Sequence, residues 1–274
     1  MKTLYVTDLD GTLLNTKDRI SEYSKKVINE LIDEGMHFTY ATARSLTSAS
    51  VVAEGLRVQM PVIVYNGAFI LNAATREVIV SSEFKVEEKQ FIKDLLHNYQ
   101  VRPLVYAFIE GIEKVSWIPE YENEGIRYYL NNREGDKRFR AVEEIEALYE
   151  GEVFYFTCIG EKEELLPIYE ALKEHPNYNC VFQQELYREE YWCEIMPKKA
   201  TKANAIKALK ELFQYDRVIA FGDAINDIPM FEIADESYAV DNAVPGLKKL
   251  ATGIIARNEE DGVAKRLKEL IKNE

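Results

Sequence analysis

The sequence has few of the features that mark disulfide-bonded, membrane or nucleic-acid-binding proteins. Its three cysteines lack zinc or redox spacing, so we expect buried thiols in a reducing compartment: Cys158, Cys180 and Cys193. No run approaches the roughly twenty apolar residues that cross a bilayer, and no basic and apolar leader precedes the first predicted strand. Lysine and arginine total 34 against 47 aspartates and glutamates, which argues against a broad basic face for nucleic acid. We therefore expect a cytoplasmic protein with no membrane or nucleic-acid partner.

What the chain does have, close to its start, is a pair of carboxylates at the end of a predicted strand. Residues 4–7 form a short run of leucine, tyrosine, valine and threonine, which favours a buried strand, and Asp8 and Asp10 follow it. Because side chains alternate along an extended segment, both carboxylates can face the same space, and Gly11 permits a sharp turn. Two crowded carboxylates repel each other unless a cation or a shared proton lies between them. This geometry suits a divalent metal, with one carboxylate as nucleophile and the other as acid or base.

Two simpler interpretations compete for this motif. Calcium loops also open with Asp-Xaa-Asp, but the EF-hand template requires Gly at its sixth position and Glu at its twelfth. Counted from Asp8, those positions hold Leu13 and Arg19, so the template fails. An ordinary polar strand end stays open on the motif alone, and the rest of the chain must decide.

The order of predicted strands and helices indicates an α/β protein with a second domain inserted into it. Residues 1–82 follow a β-α-β-α-β order, with the third strand over Pro61–Tyr65, which predicts a doubly wound parallel sheet. The same pattern returns in residues 198–274. Between them, residues 83–197 carry most of the 17 tyrosines in antiparallel-looking strands, which indicates an inserted α+β domain. Its predicted helices cover residues 87–97, 141–149 and 163–173, and its basic stretch Arg133–Arg140 is predicted to be a solvated surface segment.

Polar residues at other predicted turns should meet this carboxylate pair, because loops after the carboxyl ends of parallel strands converge into one crevice. Thr42, followed by Ala43 and Arg44, offers a hydroxyl and backbone N–H groups at a helix start, which favours a phosphate seat. Threonine at a strand end is nevertheless more often structural. Asn66 and Gly67 indicate first a tight turn and only then a substrate contact.

Two charged segments follow the predicted insertion. Lys202 lies in the first turn of a predicted helix, where a cation opposes the helix dipole and needs a nearby anion. Lys198 and Lys199 offer the same charge, so chemistry alone leaves the choice among the three open. The second segment places two carboxylates and an amide on a strand-to-helix turn: Asp223, Asn226 and Asp227. A helix N-cap role for the last two is compatible with a role in a site.

Taken in order, these motifs resemble those of a known family. The set DLDGT, ATAR, a lysine ahead of a helix, and GDAIND resembles the haloacid dehalogenase (HAD) superfamily of phosphotransferases. The segments NGA, EIMPKKATK and NEEDGVA look like its Cof-type phosphatase branch, subclass IIB, with a large α/β cap. The resemblance implies a Rossmann-like catalytic core of residues 1–82 and 198–274, and a substrate-specificity cap of residues 83–197.

The resemblance also implies a role for each matching residue. Asp8 would be the nucleophile that forms an aspartyl-phosphate, and Asp10 the acid for the leaving alcohol and then the base for water. Thr42 would donate a hydrogen bond to the phosphoryl group. Lys202 would be the cation that stabilises the nucleophile and the phosphoryl oxygens. Mg²⁺ would be held by Asp8, Asp10 through its backbone carbonyl, Asp223 and Asp227. The substrate phosphate would be contacted by Leu9, Ala43, Arg44, Asn66, Gly67 and Asn226.

Three functions stay open at this point. The first is a magnesium-dependent phosphatase for small phosphomonoesters, sugar phosphates or similar metabolites. A phosphomutase shares every core motif with it. A non-catalytic phospholigand-binding protein is disfavoured, because binding alone requires no nucleophile and acid together. We expect the phosphatase, with a cap that closes over the crevice to exclude water and select the substrate; contact of Arg133–Arg140 with that substrate is the alternative to a solvated surface.

Overall fold

The chain forms two units, and each has its own sheets and hydrophobic core. The structure, a computed structural model, describes residues 1–185 and 188–272. Met1–Ser81 and the chain from Ala200 onward form the first unit, and Ser82–Lys199 forms the second. Within the described ranges, no helix combines the length and the apolar content that crossing a bilayer requires.

The first unit opens with two strand-helix pairs. Strand β1 (Thr3–Thr7) is buried along its whole length, as its apolar and β-branched residues predict. Helix α1 (Glu22–Asp33) begins at Ser21, whose hydroxyl accepts a hydrogen bond from the Ser24 backbone N–H at 2.9 Å. Strand β2 (His37–Tyr40) and helix α2 (Leu46–Val52) follow.

The predicted third strand departs from the expected pattern. It is short and starts a separate antiparallel sheet of β3 (Val62–Val64), β4 (Phe69–Leu71) and β5 (Val78–Ser81). Its parallel partnership is limited to an isolated bridge between Ile63 and Ala41. The strand predicted over Pro61–Tyr65 is present as β3, but its predicted place in the parallel sheet was wrong, because the chain reverses directly after Val64 and β3 pairs with β4 instead.

The second unit is built on a six-stranded sheet in the order β10-β11-β9-β6-β7-β8. Its strands are β6 (Leu104–Ile109), β7 (Ile112–Trp117), β8 (Phe139–Ala141), β9 (Glu152–Gly160), β10 (Tyr178–Gln184) and β11 (Tyr191–Pro197). Its helices are α3 (Val86–Asn98), α4 (Glu124–Asn131), α5 (Ile145–Leu148) and α6 (Lys162–Leu172). Neighbouring strands are antiparallel except β7 and β8. The helix predicted over 141–149 shrinks to α5, because its first residue belongs to β8 and pairs with β7.

The basic stretch of this unit is not simply solvated. Arg138 is 9% exposed. Its guanidinium donates to Asp136 from Nε (3.0 Å to Oδ1) and Nη2 (2.5 Å to Oδ2), and to Glu113 from Nη1 (2.7 Å). The prediction of a solvated surface segment was therefore wrong for this residue, since acidic partners from two other positions neutralise it. Of the cysteines, Cys158 and Cys193 are buried and Cys180 is half-buried.

The chain then returns to the first unit and completes a parallel sheet. Its elements are α7 (Lys202–Phe213), β12 (Arg217–Gly222), α8 (Ile228–Ile233), β13 (Glu236–Val240), α9 (Pro245–Leu250), β14 (Gly253–Ile255) and α10 (Gly262–Lys272). The sheet order is β14-β13-β12-β1-β2, and all its pairs are parallel. Thr7 of β1 pairs with Phe221 of β12 and with Tyr40 of β2. The carboxyl ends of three neighbouring strands therefore meet at one edge, which confirms the predicted α/β fold.

Candidate active site

Asp8 occupies the central position at this edge of the sheet. It follows β1 directly, its backbone N–H donates to the Phe221 carbonyl at 2.9 Å, and its residue is 5% exposed. The chain then turns sharply through Leu9–Leu13, with Gly11 at φ 71°. A Cβ on Gly11 would lie 2.3 Å from a carboxylate oxygen of Asp223, so only glycine lets this turn approach Asp223.

Lys202 is buried beside Asp8. It is the first residue of α7 and is 2% exposed. Its Nζ donates to Asp8 Oδ1 at 2.5 Å and to Asp227 Oδ1 at 2.7 Å. These two carboxylates supply the anionic partners that a lysine at a helix N-terminus needs. Lys198 and Lys199, the other two candidates by charge, are exposed.

Asp223 and Asp227 complete a cluster of carboxylates with Asp8. Asp227 is fully buried, and its Oδ2 accepts the backbone N–H groups of Asp223 (2.9 Å) and Ala224 (3.1 Å). One carboxylate oxygen from each of the three aspartates lies within 4.8 Å of the others. Among the described residues, these three side chains form a group that could hold a metal ion. Oxygen donors of this kind suit Mg²⁺ rather than a thiophilic metal.

The charges in this cluster are strongly coupled. Burial raises the pKa of the Asp8 carboxyl well above its usual value against the Lys202 charge, and the charges of Asp227, Asp223 and Asp10 add to the rise. Burial and then the Asp227 charge raise the pKa of Asp223 to about 7. Burial alone would lower the pKa of Lys202, because it disfavours the charged ammonium. The negative charges of Asp227 and Asp8 outweigh this effect and raise the pKa. Three carboxylates surround one ammonium, so a bound cation would reduce the repulsion among the carboxylates.

Asp10 points away from this cluster and toward Arg44. The Arg44 Nε lies 3.0 Å and 2.9 Å from the two Asp10 carboxylate oxygens, and its Nη2 lies 2.5 Å from Oδ1. Arg44 also approaches Asp18 (3.3 Å) and Ser48 (3.2 Å). The contact of Arg44 with the substrate phosphate stays a prediction; in the structure its guanidinium binds the carboxylate of Asp10, the predicted acid-base residue. The Asp10 side chain is 46% exposed, so solvent reaches it.

The residues predicted to seat the phosphate lie at the ends of β1 and β2. Thr42 is fully buried, and its hydroxyl accepts the Arg44 backbone N–H at 3.1 Å. Ala43, between them, is half-buried. Leu9 is fully buried in the core. Two of the remaining predictions, Asn66 and Asn226, are joined by a side-chain hydrogen bond of 3.1 Å.

Two residues that sequence reasoning did not select support the cluster. The Thr12 hydroxyl donates to Asp223 Oδ1 at 3.0 Å. The Asn242 side chain donates to the Gly11 carbonyl at 2.7 Å and accepts the Asn258 backbone N–H at 3.1 Å. Thr12 stands inside the first motif and could have been found there, whereas the partner of Asn242 is 231 positions away.

Comparison with known proteins gives matches along nearly the whole chain. A family profile described as haloacid dehalogenase-like hydrolase matches residues 5–267. The Bacillus subtilis protein YitU, named a 5-amino-6-(5-phospho-D-ribitylamino)uracil phosphatase, is 26% identical over 286 residues, which cover 97% of this chain and 96% of YitU. The profile confirms the resemblance that the motifs indicate.

Solved structures agree with this fold. The crystal structure of TM0651 from Thermotoga maritima has a TM-score of 0.77 and 26% identity, and the match covers 98% of this chain and 97% of TM0651. A haloacid dehalogenase-like hydrolase from Bacteroides thetaiotaomicron has a TM-score of 0.80 at 24% identity, covering 98% of this chain and 100% of that one. The second likeness supports the fold alone.

Proposed function

Because this chain belongs to the haloacid dehalogenase-like hydrolases, we propose that it is a Mg²⁺-dependent phosphatase that hydrolyses small phosphomonoesters through an aspartyl-phosphate on Asp8. The observation that carries the proposal is the surroundings of Asp8. The Lys202 ammonium lies 2.5 Å from one of its oxygens, and oxygens of Asp223 and Asp227 lie within 4.8 Å. Phosphoryl transfer depends mainly on positioning and on neutralising charge, and this arrangement offers both.

In the first step, a carboxylate oxygen of Asp8 attacks the phosphorus of the substrate. A bond forms between that oxygen and phosphorus, and the bond from phosphorus to the alcohol oxygen breaks. Asp10 donates a proton to the departing oxygen, so a neutral alcohol leaves. Lys202 lies within 2.7 Å of Asp8 and Asp227 and holds the nucleophile in place as negative charge moves from the Asp8 carboxylate toward the phosphoryl and leaving oxygens.

In the second step, water attacks the phosphorus of the aspartyl-phosphate. Asp10, now ionised, accepts a proton from the water, and the bond between phosphorus and the Asp8 oxygen breaks. Inorganic phosphate leaves and the Asp8 carboxylate is restored. The half-exposed position of Asp10 supports this role, because the carboxylate must meet the alcohol and then the water.

The donor chemistry of the cluster fits Mg²⁺. Asp8, Asp223 and Asp227 offer only oxygens, which this ion prefers. They would hold the ion together with the backbone carbonyl of Asp10. Bound there, Mg²⁺ would offset the repulsion between an anionic nucleophile and an anionic phosphate.

We assign selection of the substrate alcohol to the second unit, Ser82–Lys199, acting as the cap. The family resemblance supports this assignment. YitU carries the name of a phosphatase for a phosphorylated ribityl compound, so sugar and polyol phosphates are the first substrates to test. A panel of these compounds, with phosphate release as the readout, would rank them.

The proposal is tested by replacing the nucleophile. We expect Asp8→Asn to abolish hydrolysis of p-nitrophenyl phosphate in the presence of Mg²⁺, because an amide cannot attack phosphorus. The control is Asp33→Asn, which removes an exposed carboxylate paired with Arg57 and should leave the rate unchanged. Full activity of Asp8→Asn, or equal activity of the wild type with Mg²⁺ and with a chelator, would refute the proposal.

A further inference from the structure

The turn Tyr65–Gly67 has an unusual backbone. Tyr65 (φ 51°), Asn66 (φ 54°) and Gly67 (φ 97°) are three consecutive residues in the left-handed region, and all three are buried. Glycine adopts this region freely and asparagine tolerates it, but a bulky residue such as tyrosine is strained there. Strain of this kind persists only where the surrounding structure enforces it.

The backbone of the turn is tied to the predicted phosphate seat. The Tyr65 N–H donates to the Arg44 carbonyl at 3.0 Å, and the Asn66 N–H donates to the Thr42 carbonyl at 2.9 Å. In return, the Thr42 N–H donates to the Ile63 carbonyl at 3.0 Å. The loop after β2 is therefore held on both sides of Thr42 by the segment that ends in the left-handed turn.

The same turn reaches two other loops of the site. The Asn66 Oδ1 accepts a hydrogen bond from the Asn226 side chain at 3.1 Å. Gly67 lies against the start of α7: a Cβ added to it would be 2.2 Å from the Thr201 carbonyl oxygen and 2.9 Å from the Lys202 nitrogen. Backbone atoms cannot move aside as a flexible side chain can, so any larger residue at this position must displace the first turn of α7.

We infer that the turn Tyr65–Gly67 is a positioning element, which fixes Thr42, Asn226 and Lys202 relative to one another. Asn66 and Gly67 were predicted first to form a tight turn and then to contact the substrate. In the structure the turn contacts the three loops that carry site residues. The left-handed backbone brings these loops together, because it reverses the chain within three residues and leaves a bare Cα facing α7. The inference rests on the proposed phosphatase function for its activity readout, and on the geometry alone for its second readout.

The first test compares two glycine-to-alanine variants. Gly67→Ala and Gly35→Ala both add a Cβ at positive φ (97° and 102°), but Gly35 has nothing within 4 Å of the added atom. We expect Gly67→Ala to lower kcat for p-nitrophenyl phosphate by about 100-fold with a smaller change in KM, since displacements near 1 Å carry such a penalty. Gly35→Ala, which precedes β2 at the opposite end of the strand, should keep kcat within about twofold.

The second readout does not depend on activity. Lys202 is 2% exposed and paired with two carboxylates, so it should resist acetylation by acetic anhydride, while the exposed Lys207 of the same helix reacts. Peptide mass mapping of folded Gly67→Ala should show increased acetylation at Lys202 relative to Lys207. If the wild type is inactive but this increase occurs, the proposed function fails and the inference holds. If Gly67→Ala keeps the kcat of Gly35→Ala and Lys202 stays protected, the inference is overturned.

A second variant covers the case in which Gly67→Ala does not fold. Asn66→Gly keeps the left-handed backbone, because glycine accepts it without strain, and removes the side chain that bonds to Asn226. We expect kcat to fall by roughly tenfold, because the amide of Asn226 loses its partner, and the unfolding midpoint to fall modestly, because a buried hydrogen bond is lost. A kcat equal to that of the wild type would show that the Asn66 side chain does not position Asn226, and would overturn that part of the inference.

Discussion

The ammonium of Lys202 and the carboxylate of Asp8 lie 2.5 Å apart in the interior of the first unit, although 194 positions separate the two residues. Neither group is stable there alone, because a buried unpaired charge is strongly disfavoured. Their pairing, shared with Asp227 at 2.7 Å, places a fixed cation beside the proposed nucleophile at the end of β1. The contact that stabilises Lys202 in the interior is therefore the same contact that the proposed mechanism uses.

Removal of the Lys202 charge should damage both stability and activity. Lys202→Met leaves the buried Asp8 and Asp227 without their cation, and breaking a buried pair in this way costs about 3–5 kcal/mol. We expect this loss in urea unfolding, together with the loss of p-nitrophenyl phosphate hydrolysis. Lys207→Met, at an exposed position of the same helix, is the control and should change neither. Retained activity in Lys202→Met would show that the contact is not required.

Replacement of Asp10 should separate the two chemical steps. Asp10→Asn cannot protonate the leaving group or activate water, and loss of such a group typically lowers kcat by about 10²- to 10⁴-fold. p-Nitrophenolate leaves without protonation, so the first step should still proceed. We expect a burst of p-nitrophenol equal to one per enzyme, followed by slow turnover, in stopped-flow absorbance. Slow turnover without a burst would contradict the assigned order of roles.

Thr12 should tune the metal site through Asp223. Its hydroxyl donates to Asp223 Oδ1 at 3.0 Å, and groups that orient a metal ligand typically change metal affinity by about 10- to 100-fold. We expect Thr12→Val to raise the Mg²⁺ concentration for half-maximal activity by that factor while kcat at saturating Mg²⁺ changes little. Thr75→Val, on an exposed turn, provides the comparison. An unchanged Mg²⁺ requirement in Thr12→Val would count against Asp223 as a ligand.

The buried Glu194 of β11 should make the stability of the second unit depend on pH. Burial raises its pKa from 4.5 to about 7, against a hydrogen bond from Tyr155, and the charge of Glu185 adds to the rise. A carboxyl whose folded pKa is raised is neutral in both states below about pH 4.5. Its burial destabilises the fold progressively between about pH 4.5 and 7, and above about pH 7 the loss is complete at about 3 kcal/mol.

Glu194→Gln tests this dependence directly. Both tryptophans, Trp117 and Trp192, lie in the second unit, so their fluorescence during urea unfolding reports that unit. We expect the variant to match the wild type at pH 4 and to exceed it in stability at pH 8. Glu163→Gln, at an exposed position, should keep the pH dependence of the wild type. An equal decline with pH in Glu194→Gln would rule out Glu194 as its origin.

The regular elements of the fold were predictable, because hydrophobic periodicity and capping are local. The Ser21 cap, the apolar face of α1 and the alternation of strand and helix follow directly from spacing. The tight turn at Asn66 and Gly67 was predicted and is present. The left-handed backbone of Tyr65 was not predictable, because tyrosine rarely adopts it and only its tertiary partners enforce it. β3 was consequently predicted in the wrong sheet.

The side-chain partners in the site were less predictable than the residues themselves. Motif spacing singles out Asp8, Lys202 and Asp223, but spacing carries no information on which neighbour a long side chain selects. The ion pair of Arg44 with Asp10 was not predicted. Arg138 was expected in solvent and is neutralised by Asp136, in the turn before β8, and by Glu113 of β7. Such choices depend on the competition among charges in the folded protein.

The central claim is that Asp8 carries the phosphoryl group between the two steps, and trapping that intermediate tests it most directly. The wild type and Asp10→Asn are mixed with substrate and Mg²⁺, quenched in acid within the first turnover, digested and mapped by mass spectrometry. The mechanism predicts one phosphoryl group on the peptide that contains Asp8, in higher yield for Asp10→Asn, because its second step is slowed. A phosphoryl group on another residue, or none in an enzyme that turns over, would contradict the account.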